Sequence, residues 1–272
     1  MKTKKIGIDI GMTNIDLVVE TDEGLKFTML RNSAGTAEGQ IRQALAEIPE
    51  SLESGITIGV TGGRYRDLPD VVDGYPIRKV DEMLAVGMGG LALAGLESAL
   101  VVSAGTGTAM VAARGRDVHH VTGSAVGGGT LLGLAKLILG TDDAAEIDQL
   151  ALAGDAAAVD IMLTEAVGGH VGRLPAEANA VNLGKLGHGD DFSRENLAAG
   201  LVRLVAQVIA VIAINAAAAE NLADIVLIGH LIDLESVRKE IGLVGAFYGQ
   251  IFNIPDGPGF GTAQGVLKVL AG

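Results

Sequence analysis

Residues able to bind a phosphate group first occur at Asp9, Gly11 and Thr13, directly after an apolar segment. A carboxylate at the end of a strand can bind Mg²⁺, and the turn behind it offers N–H groups and a hydroxyl to phosphate oxygens. A plain hairpin with an aspartate in its turn would carry the same short pattern. Taken alone, the motif leaves a phosphate site and an ordinary hairpin about equally favoured.

A second run of glycine and threonine, Gly105-Thr106-Gly107-Thr108, follows the apolar segment Ala99–Ser103. Alternating glycines and hydroxyl side chains after a strand suit a second phosphate-binding turn, although another glycine-rich hairpin would explain them too. Two such turns, each in the same place within a similar series of strands, are less expected by chance than either one. The pair therefore favours a nucleotide site.

A third glycine cluster, Gly127-Gly128-Gly129-Thr130, directly precedes an amphipathic helix that is predicted to continue through Leu139. Adjacent glycines are costly unless the backbone must approach another group closely. Bare N–H groups at the start of a helix attract an anion. A flexible loop is the alternative, but the helix immediately behind the glycines makes phosphate binding the preferred interpretation.

The candidate acid–base residues are Asp81 and Glu82, at the start of a helix predicted over Glu82–Ala94. A carboxylate here could act as general base toward a substrate hydroxyl. It could instead satisfy the positive end of the helix dipole, and spacing alone favours that structural role. His119 and His120 lie on a predicted strand, where a zinc site would need further ligands that the sequence does not identify. Three other histidines are scattered: His170, His188 and His230.

The order of predicted elements repeats along the chain, because a series of three strands surrounds each of the first two glycine turns. The six strands of these two series are Lys5–Ile10, Ile15–Glu20, Leu25–Arg31, Ala99–Ser103, Ala109–Arg114 and Val118–Val121. Further strands are predicted over Gly55–Val60, Asp224–Ile228 and Phe247–Ile254. Helices between and after these strands predict an α/β fold. We therefore expect two related α/β lobes with a nucleotide cleft between them, divided into a first domain of residues 1–97 and a second of residues 98–272.

Composition limits the partners. The net charge of −13 argues against nucleic acid, because phosphate backbones are bound by patches of Lys and Arg. The chain has no cysteine, which excludes disulfides and thiolate metal sites and suits a cytoplasmic protein. The apolar helix predicted over Leu197–Ala219 contains Arg203, Gln207 and Asn215. We therefore expect a buried or interface helix rather than a membrane span.

Together these motifs resemble those of the type II (eukaryotic-like) pantothenate kinases, members of the acetate/sugar kinase, Hsp70 and actin superfamily. The segments that carry the resemblance are GIDIGMTNIDLVV, VTGGRY, KVDEM, VVSAGTGTAMV, HHVTGSAVGGGTLLGLAKLILG, VDIMLTEAVGG, LPAEANAVNLGKL, DIVLIGH and FGTAQGVL. They follow one another in order over essentially the whole chain. The resemblance implies two RNase H-like (actin-like ATPase) lobes around a nucleotide cleft.

The same resemblance implies an ATP-dependent kinase that uses Mg²⁺ and phosphorylates the primary hydroxyl of pantothenate, the first step of coenzyme A synthesis. It gives Glu82 the role of catalytic base, which reverses the preference drawn from spacing. Asp9 would bind the metal, and Thr106, Thr108 and His120 would contact pantothenate. The residues expected to contact ATP are Asp9, Gly11, Thr13, Gly105, Thr106, Gly107, Gly127, Gly128, Gly129, Thr130 and Gly229. A homodimer that pairs through the second lobe is also implied, whereas the net charge and the polar residues of the apolar helix give no role to nucleic acid or a membrane.

The chain departs from the family pattern at four positions near the site. Met12 stands where a second glycine is usual, Asp16 where a lysine is usual, and Ala109 where a hydroxyl residue is usual. His120 stands where an arginine grips the pantothenate carboxylate. Arginine offers a permanently charged, bidentate fork, whereas histidine is largely neutral at pH 7. We therefore expect the residues that bind ATP to match the family pattern largely, and the residues that bind the acceptor to differ from it.

Other functions remain open at this point. One is a kinase of the same fold that acts on another small hydroxy acid. Another is an ATPase module that binds or reactivates a partner protein, and a third is an inert nucleotide-binding paralogue. The absence of cysteine excludes activators that ligate an iron–sulfur cluster.

Overall fold

The computed structural model describes residues 3–33, 35–48, 52, 55–172, 174–189 and 191–272. Within these residues the chain forms two α/β lobes, each built on its own mixed sheet. The phosphate-binding turns predicted from the sequence lie at strand ends in both sheets. The architecture therefore places these turns where the lobes adjoin.

The first lobe contains a six-stranded sheet. Its elements are β1 (Thr3–Ile10), β2 (Asn14–Thr21), β3 (Gly24–Arg31), α1 (Ala37–Leu45), β4 (Thr57–Thr61), β5 (Val71–Val72) and β6 (Tyr75–Lys79). The strand order is β3-β2-β1-β4-β6-β5. The first three strands form the predicted antiparallel meander, in which Asp9 lies opposite Asp16. β4 runs parallel to β1.

The second lobe contains a five-stranded sheet and most of the helices. The remaining elements of the chain are α2 (Glu82–Ala94), β7 (Ser98–Ala104), β8 (Thr108–Arg114), β9 (Asp117–Ser124), α3 (Gly128–Ile138), α4 (Ala144–Ala153), β10 (Ile161–Met162), α5 (Leu163–Val167), β11 (Asn179–Val181), α6 (Arg194–Ala219), β12 (Ile225–Ile228), α7 (Glu235–Tyr248), β13 (Phe252–Asn253) and α8 (Gly261–Leu270). The strand order is β13-β12-β7-β8-β9, with β10 and β11 forming a separate small sheet. β12 is parallel to β7, whereas β7, β8 and β9 repeat the antiparallel meander.

Helices α2 and α8 pack against each other between the two sheets. A Cβ atom on Gly265 of α8 would overlap the carbonyl oxygen of Ala85 in α2, so glycine is what allows this close approach. α8 also covers the first sheet, where Leu267 lies over Gly7 of β1. The two helices therefore connect the two sheets at the junction between the lobes.

This arrangement modifies the division of the chain into residues 1–97 and 98–272. α2 belongs to the first segment but packs against β7, β8 and β9, and α8 belongs to the second segment but packs against β1, β2 and β4. The strands of the six-stranded sheet all precede residue 98 and those of the five-stranded sheet all lie from residue 98 onward, whereas the two junction helices are shared. The division into two domains stays a prediction.

One strand prediction near the C-terminal end is wrong in its extent. The apolar segment Phe247–Ile254 was expected to carry a strand, but α7 continues to Tyr248 and ends at Gly249, whose φ of 70° is left-handed. Only Phe252–Asn253 forms a strand. The hairpin of β5 and β6 was not predicted, although its turn residues Asp73 and Gly74 both have positive φ, as an Asp-Gly hairpin turn requires.

The apolar helix predicted over Leu197–Ala219 is the core of α6. By length and composition alone α6 could cross a membrane. Its residues Leu201 and Ile209 are fully buried in the core of the second lobe. The expectation of a buried helix is therefore confirmed.

Candidate functional site

The first two glycine turns meet at the junction of the lobes. The Oγ1 atoms of Thr13 and Thr106 lie 2.9 Å apart and share a hydrogen bond. The first turn is closed by the N–H of Gly11, which donates to the carbonyl of Asn14 over 2.9 Å. The side chain of Met12 is 86% exposed. The residue that replaces a glycine therefore points away from the turn into solvent.

The third glycine cluster packs onto the second turn. The N–H groups of Gly128 and Gly129 donate to the carbonyls of Gly105 and Thr106 over 2.8 and 2.9 Å. A Cβ atom on Gly127 would lie 2.7 Å from the Thr106 oxygen, so the glycines permit this backbone contact. The sequence interpretation of bare N–H groups therefore does not hold for Gly128 and Gly129. Their assignment to ATP stays a prediction, supported by the α3 dipole rather than by those N–H groups.

Two threonine hydroxyls predicted to contact ligands instead support this loop. Thr130 donates to the carbonyl of Ala125 over 3.1 Å and accepts from the N–H of Gly127 over 3.3 Å. Thr108 is buried, and its hydroxyl donates to the carbonyl of Val126 over 2.9 Å. Direct contact of Thr108 with pantothenate stays a prediction, and in this structure its hydroxyl holds the loop that precedes α3.

A cleft opens between the glycine turns. The predicted ATP-binding residues that line it are Asp9, Gly11, Thr13, Gly105, Thr106, Gly128, Gly129 and Gly229. Gly107, Gly127 and Thr130 lie outside the wall of the cleft and next to residues that form it. Gly229 has a φ of 100°, and a Cβ atom there would overlap the backbone of Ala104. Only glycine fits this strand end.

Part of the cleft wall is apolar, which the sequence interpretation did not identify. The residues concerned are Leu131, Leu132, Ala144, Leu231 and Leu234. An isolated leucine near a helix start cannot be told from a core residue by its sequence pattern. A wall that combines apolar side chains with glycine turns and hydroxyls suits a ligand that has a flat apolar part and an anionic part.

Asp9, near the end of β1, is the strongest candidate for a cation ligand in this cleft. Burial and the nearby carboxylates of Asp16 and Glu82 raise the pKa of Asp9 to about 8, against a smaller lowering by His230. Mg²⁺ is held in proteins by one or two carboxylates together with phosphate oxygens and water, which fits one aspartate beside a phosphate cleft. Among the described residues, no cluster of three or more His, Cys, Asp or Glu could hold a metal by itself.

His230 directly follows Gly229 in the cleft and lies between two carboxylates. Its Nε2 is 2.8 Å from Asp16 Oδ1, and its Nδ1 is 2.7 Å from Asp233 Oδ2. Burial lowers the pKa of His230, but the hydrogen bonds to the two aspartates outweigh burial and raise the pKa to about 10. The ring is therefore an imidazolium that donates from both nitrogens. Sequence reasoning missed this cluster because Asp16 and His230 are 214 positions apart.

Asp81 and Glu82 have different surroundings at the start of α2. Asp81 caps the helix by accepting from the N–H of Leu84 over 3.2 Å, and it accepts from the hydroxyl of Tyr65 over 2.6 Å. Glu82 is half-buried and makes no hydrogen bond or ion pair with another described residue. Burial, and then the charge of Asp81, raise the pKa of Glu82. The capping role belongs to Asp81, which leaves the Glu82 carboxylate available to a ligand.

His119 and His120 lie on opposite faces of β9. His119 Nε2 is 3.1 Å from Glu220 Oε1 on the α6 side of the sheet. His120 shares its face with Val118, since alternate residues of a strand point the same way, and Val118 packs against Gly87 of α2. The two histidines therefore do not form a metal pair. His120 lies on the sheet face covered by the helix that begins at Glu82.

The sequence is similar to one family model and to curated proteins named type II pantothenate kinase. A family model described as Fumble matches residues 98–249. The type II pantothenate kinase of Oceanobacillus iheyensis is 28% identical over 232 residues, which are 83% of this chain and 84% of that protein. The protein of the same name from Staphylococcus haemolyticus is 26% identical over 246 residues, 87% of this chain and 88% of that protein.

Solved structures share the fold at low sequence identity. The activator of 2-hydroxyisocaproyl-CoA dehydratase from Clostridium difficile, with bound ADPNP, has a TM-score of 0.66 at 15% identity, covering 96% of this chain and 92% of that chain. A ROK family glucokinase from Streptomyces griseus, in complex with glucose and AMPPNP, has a TM-score of 0.59 at 16% identity, covering 97% and 98%. The predicted fold of two actin-like ATPase lobes is confirmed.

Proposed function

The chain belongs to the Fumble family, and we propose that it transfers the γ-phosphoryl group of ATP to the primary hydroxyl of pantothenate, the first step of coenzyme A synthesis. The observation that carries this proposal is the meeting of the Thr13 and Thr106 turns beside Asp9, in a cleft shared by both lobes. The relatives named type II pantothenate kinase match over most of the chain, which supports pantothenate as the acceptor.

The phosphate end of ATP is proposed to lie between the two glycine turns. The hydroxyls of Thr13 and Thr106 would exchange their mutual hydrogen bond for bonds to phosphate oxygens. The N-terminal end of α3 adds the positive end of a helix dipole, even though two of its N–H groups are already used. Adenine would pack on partly exposed apolar residues such as Leu132 and Leu234.

Asp9 is proposed to hold Mg²⁺ in this cleft. When bound, the ion would neutralise phosphate charge that develops during transfer. The raised pKa of Asp9 records how unfavourable an unpaired carboxylate is at this position, beside Asp16 and Glu82. A cation ligand there would relieve that repulsion.

Glu82 is proposed as the general base. The acceptor hydroxyl would give its proton to the Glu82 carboxylate while its oxygen forms a bond to the γ-phosphorus. The bond from that phosphorus to the bridging oxygen then breaks, and ADP leaves with the electron pair. The burial that raises the pKa of Glu82 makes the carboxylate a better proton acceptor than an exposed one.

The acceptor end of the site is proposed to involve Thr106, Thr108 and His120. The Thr106 hydroxyl lines the cleft, whereas Thr108 is buried behind it. His120 would meet the pantothenate carboxylate through an N–H group of its ring. This contact is weaker than an arginine fork.

We extend the proposal to a cytoplasmic homodimer. The apolar residues of α6 lie mainly inside their own lobe, so this helix offers a partner less surface than its sequence suggested. Sedimentation equilibrium at micromolar concentration tests the dimer directly.

The decisive experiment uses purified protein with Mg-ATP and measures ADP release with and without pantothenate, with mass spectrometry of the acceptor. Turnover that requires pantothenate and yields phosphopantothenate supports the proposal. ADP release that is equal with and without pantothenate would show an ATPase module instead. ATP binding without turnover would show an inert relative. A panel of other small hydroxy acids identifies a different acceptor.

A further inference from the structure

We propose that His230 is a positioning residue that holds the two lobes closed over the nucleotide cleft, by joining Asp16 of the first lobe to Asp233 of the second. The proposal takes the cleft to be the ATP site, as proposed above. His230 need not touch ATP, because both of its ring nitrogens are already bound to carboxylates.

The contact connects the lobes directly at the cleft. Asp16 lies on β2 and faces away from the core of the first lobe, toward the second lobe. His230 and Asp233 lie in the short 3₁₀ helix His230–Asp233 that follows β12. Because His230 and Asp233 belong to one lobe, their hydrogen bond fixes the ring within that lobe. The bond to Asp16 is then the one that crosses the junction.

Aromatic packing beside the ion pair supports the same role. Phe260 meets the His230 ring edge-on with centroids 5.5 Å apart, and it meets Phe27 of β3 with centroids 5.2 Å apart. A Cβ atom on Gly259 would overlap the His230 ring, so glycine there makes room for the ring. The junction around His230 is therefore packed on several sides.

Charge explains why this contact matters for a phosphate ligand. Asp16 is only 7% exposed and lies opposite Asp9 in the strand pairing. Without His230, a buried carboxylate would face both Asp9 and the incoming phosphates with no counter-ion. Removing one partner of a buried ion pair is strongly unfavourable because the other charge stays buried. His230 therefore lets an acidic residue occupy the cleft wall without repelling the nucleotide.

The test begins with the lobe separation, which requires no turnover. Because the chain contains no cysteine, cysteines introduced at the exposed residues Glu23 and Lys239 can be spin-labelled cleanly, one in each lobe. We expect His230→Ala to broaden and lengthen the label distance, and the control His188→Gln, at an exposed histidine, to leave it unchanged. A label distance in His230→Ala equal to that of the parent would overturn the proposal, whether or not the enzyme phosphorylates pantothenate.

Kinetics then separate positioning from a general loss of folding. We expect His230→Ala to raise the KM for ATP about tenfold or more, because a charge-assisted contact is lost, with little change in the KM for the acceptor. Adding Asp16→Asn should recover part of that loss, because the unpaired carboxylate is removed. Equal changes in both KM values, or a double variant worse than His230→Ala, would overturn the proposal. If His230→Ala does not fold, His230→Gln and Asp16→Asn provide the same comparison.

Discussion

The hydroxyl oxygens of Thr13 and Thr106 lie 2.9 Å apart although the two residues belong to different lobes. Each hydroxyl lies in a glycine turn that follows the first strand, in chain order, of its own sheet. A ligand that separates the two threonines must replace one neutral hydrogen bond with stronger bonds to a charged group. We therefore expect an anion to bind at this pair of hydroxyls.

Glu82 is expected to dominate the chemical step. Glu82→Gln should lower kcat by about 10²–10⁴-fold and leave the KM for ATP nearly unchanged, because the amide cannot accept the hydroxyl proton. Steady-state kinetics with varied ATP and pantothenate measure both constants. Glu23→Gln, in the exposed β2–β3 turn, is the matched control. Retention of the parent kcat in Glu82→Gln would remove Glu82 from the role of base.

Replacing Gly127 by a residue with a side chain is expected to disturb the site because of close packing and not because of backbone conformation. Its φ of −168° suits any residue, but a Cβ atom would lie 2.7 Å from the Thr106 oxygen. Forcing the loops apart costs about 1–3 kcal/mol, so Gly127→Ala should raise the KM for ATP roughly tenfold.

Gly133, inside the helix that Gly127 directly precedes, provides the matched control for that variant. Apart from its chain neighbours and the nearby backbone of its own helix, no heavy atom lies within 4 Å of a Cβ atom placed there. Gly133→Ala should therefore leave the KM unchanged and stabilise the fold by about 0.5–1 kcal/mol, since alanine is the better helix former. If the two alanine variants have the same KM for ATP, the close contact at Gly127 does not contribute to ATP binding.

His120 is expected to limit affinity for the acceptor. His120→Arg would place a permanent, bidentate cation on the α2 side of β9, and it should lower the KM for pantothenate by roughly tenfold to a hundredfold. The KM for ATP should not change. A loss of acceptor affinity in His120→Arg would mean that the pantothenate carboxylate binds elsewhere. Pantethine, which lacks that carboxylate, is the control acceptor.

Arg203 is expected to be critical for stability rather than for activity. Its guanidinium, 15% exposed, lies 3.2 Å from Asp160, which is fully buried, and 3.0 Å from Glu240. Arg203→Met should cost about 3–5 kcal/mol of unfolding free energy, because it leaves buried carboxylates unpaired. Urea unfolding measures this, and Asp160→Asn in the same chain should recover part of the loss.

The surface residue Arg42 is the comparison for Arg203. It forms ion pairs with Glu38 and Asp73 while remaining 52% exposed. Arg42→Met should cost less than about 1 kcal/mol, since solvent screens exposed pairs. If the two methionine variants lose the same free energy of unfolding, burial of the Arg203 ion pairs does not increase their contribution to stability.

The imidazolium of His230 predicts a specific dependence of stability on pH. Its pKa is raised from 6.5 to about 10 by hydrogen bonds that outweigh burial. A group with a raised folded-state pKa contributes its full stabilisation below its unfolded pKa and loses it as pH approaches the folded value. The advantage of the parent over His230→Gln should therefore be largest near pH 6 and disappear progressively toward pH 10. Urea unfolding at pH 6, 8 and 10 measures it, and a difference that is constant with pH would contradict the ionised form.

Local patterns were enough to predict much of this protein. The two strand-turn-strand series, the helix starting at Glu82 and the glycine cluster before α3 all depend on neighbours within a few positions. Such neighbours determine strand alternation, turn geometry and helix starts. The turn of the β5–β6 hairpin has the same kind of local pattern at Asp73-Gly74.

Which of these local features come into contact is visible only in the tertiary structure. Asp16 contacts His230 and Thr13 contacts Thr106, and both contacts connect the two lobes. The tertiary structure also shows that the N–H groups of Gly128 and Gly129 donate to backbone carbonyls and that α8 packs against the first sheet. The physical reason is that a residue pattern specifies the conformation of its own segment, whereas ion pairing, loop packing and helix docking depend on surfaces that distant segments create together.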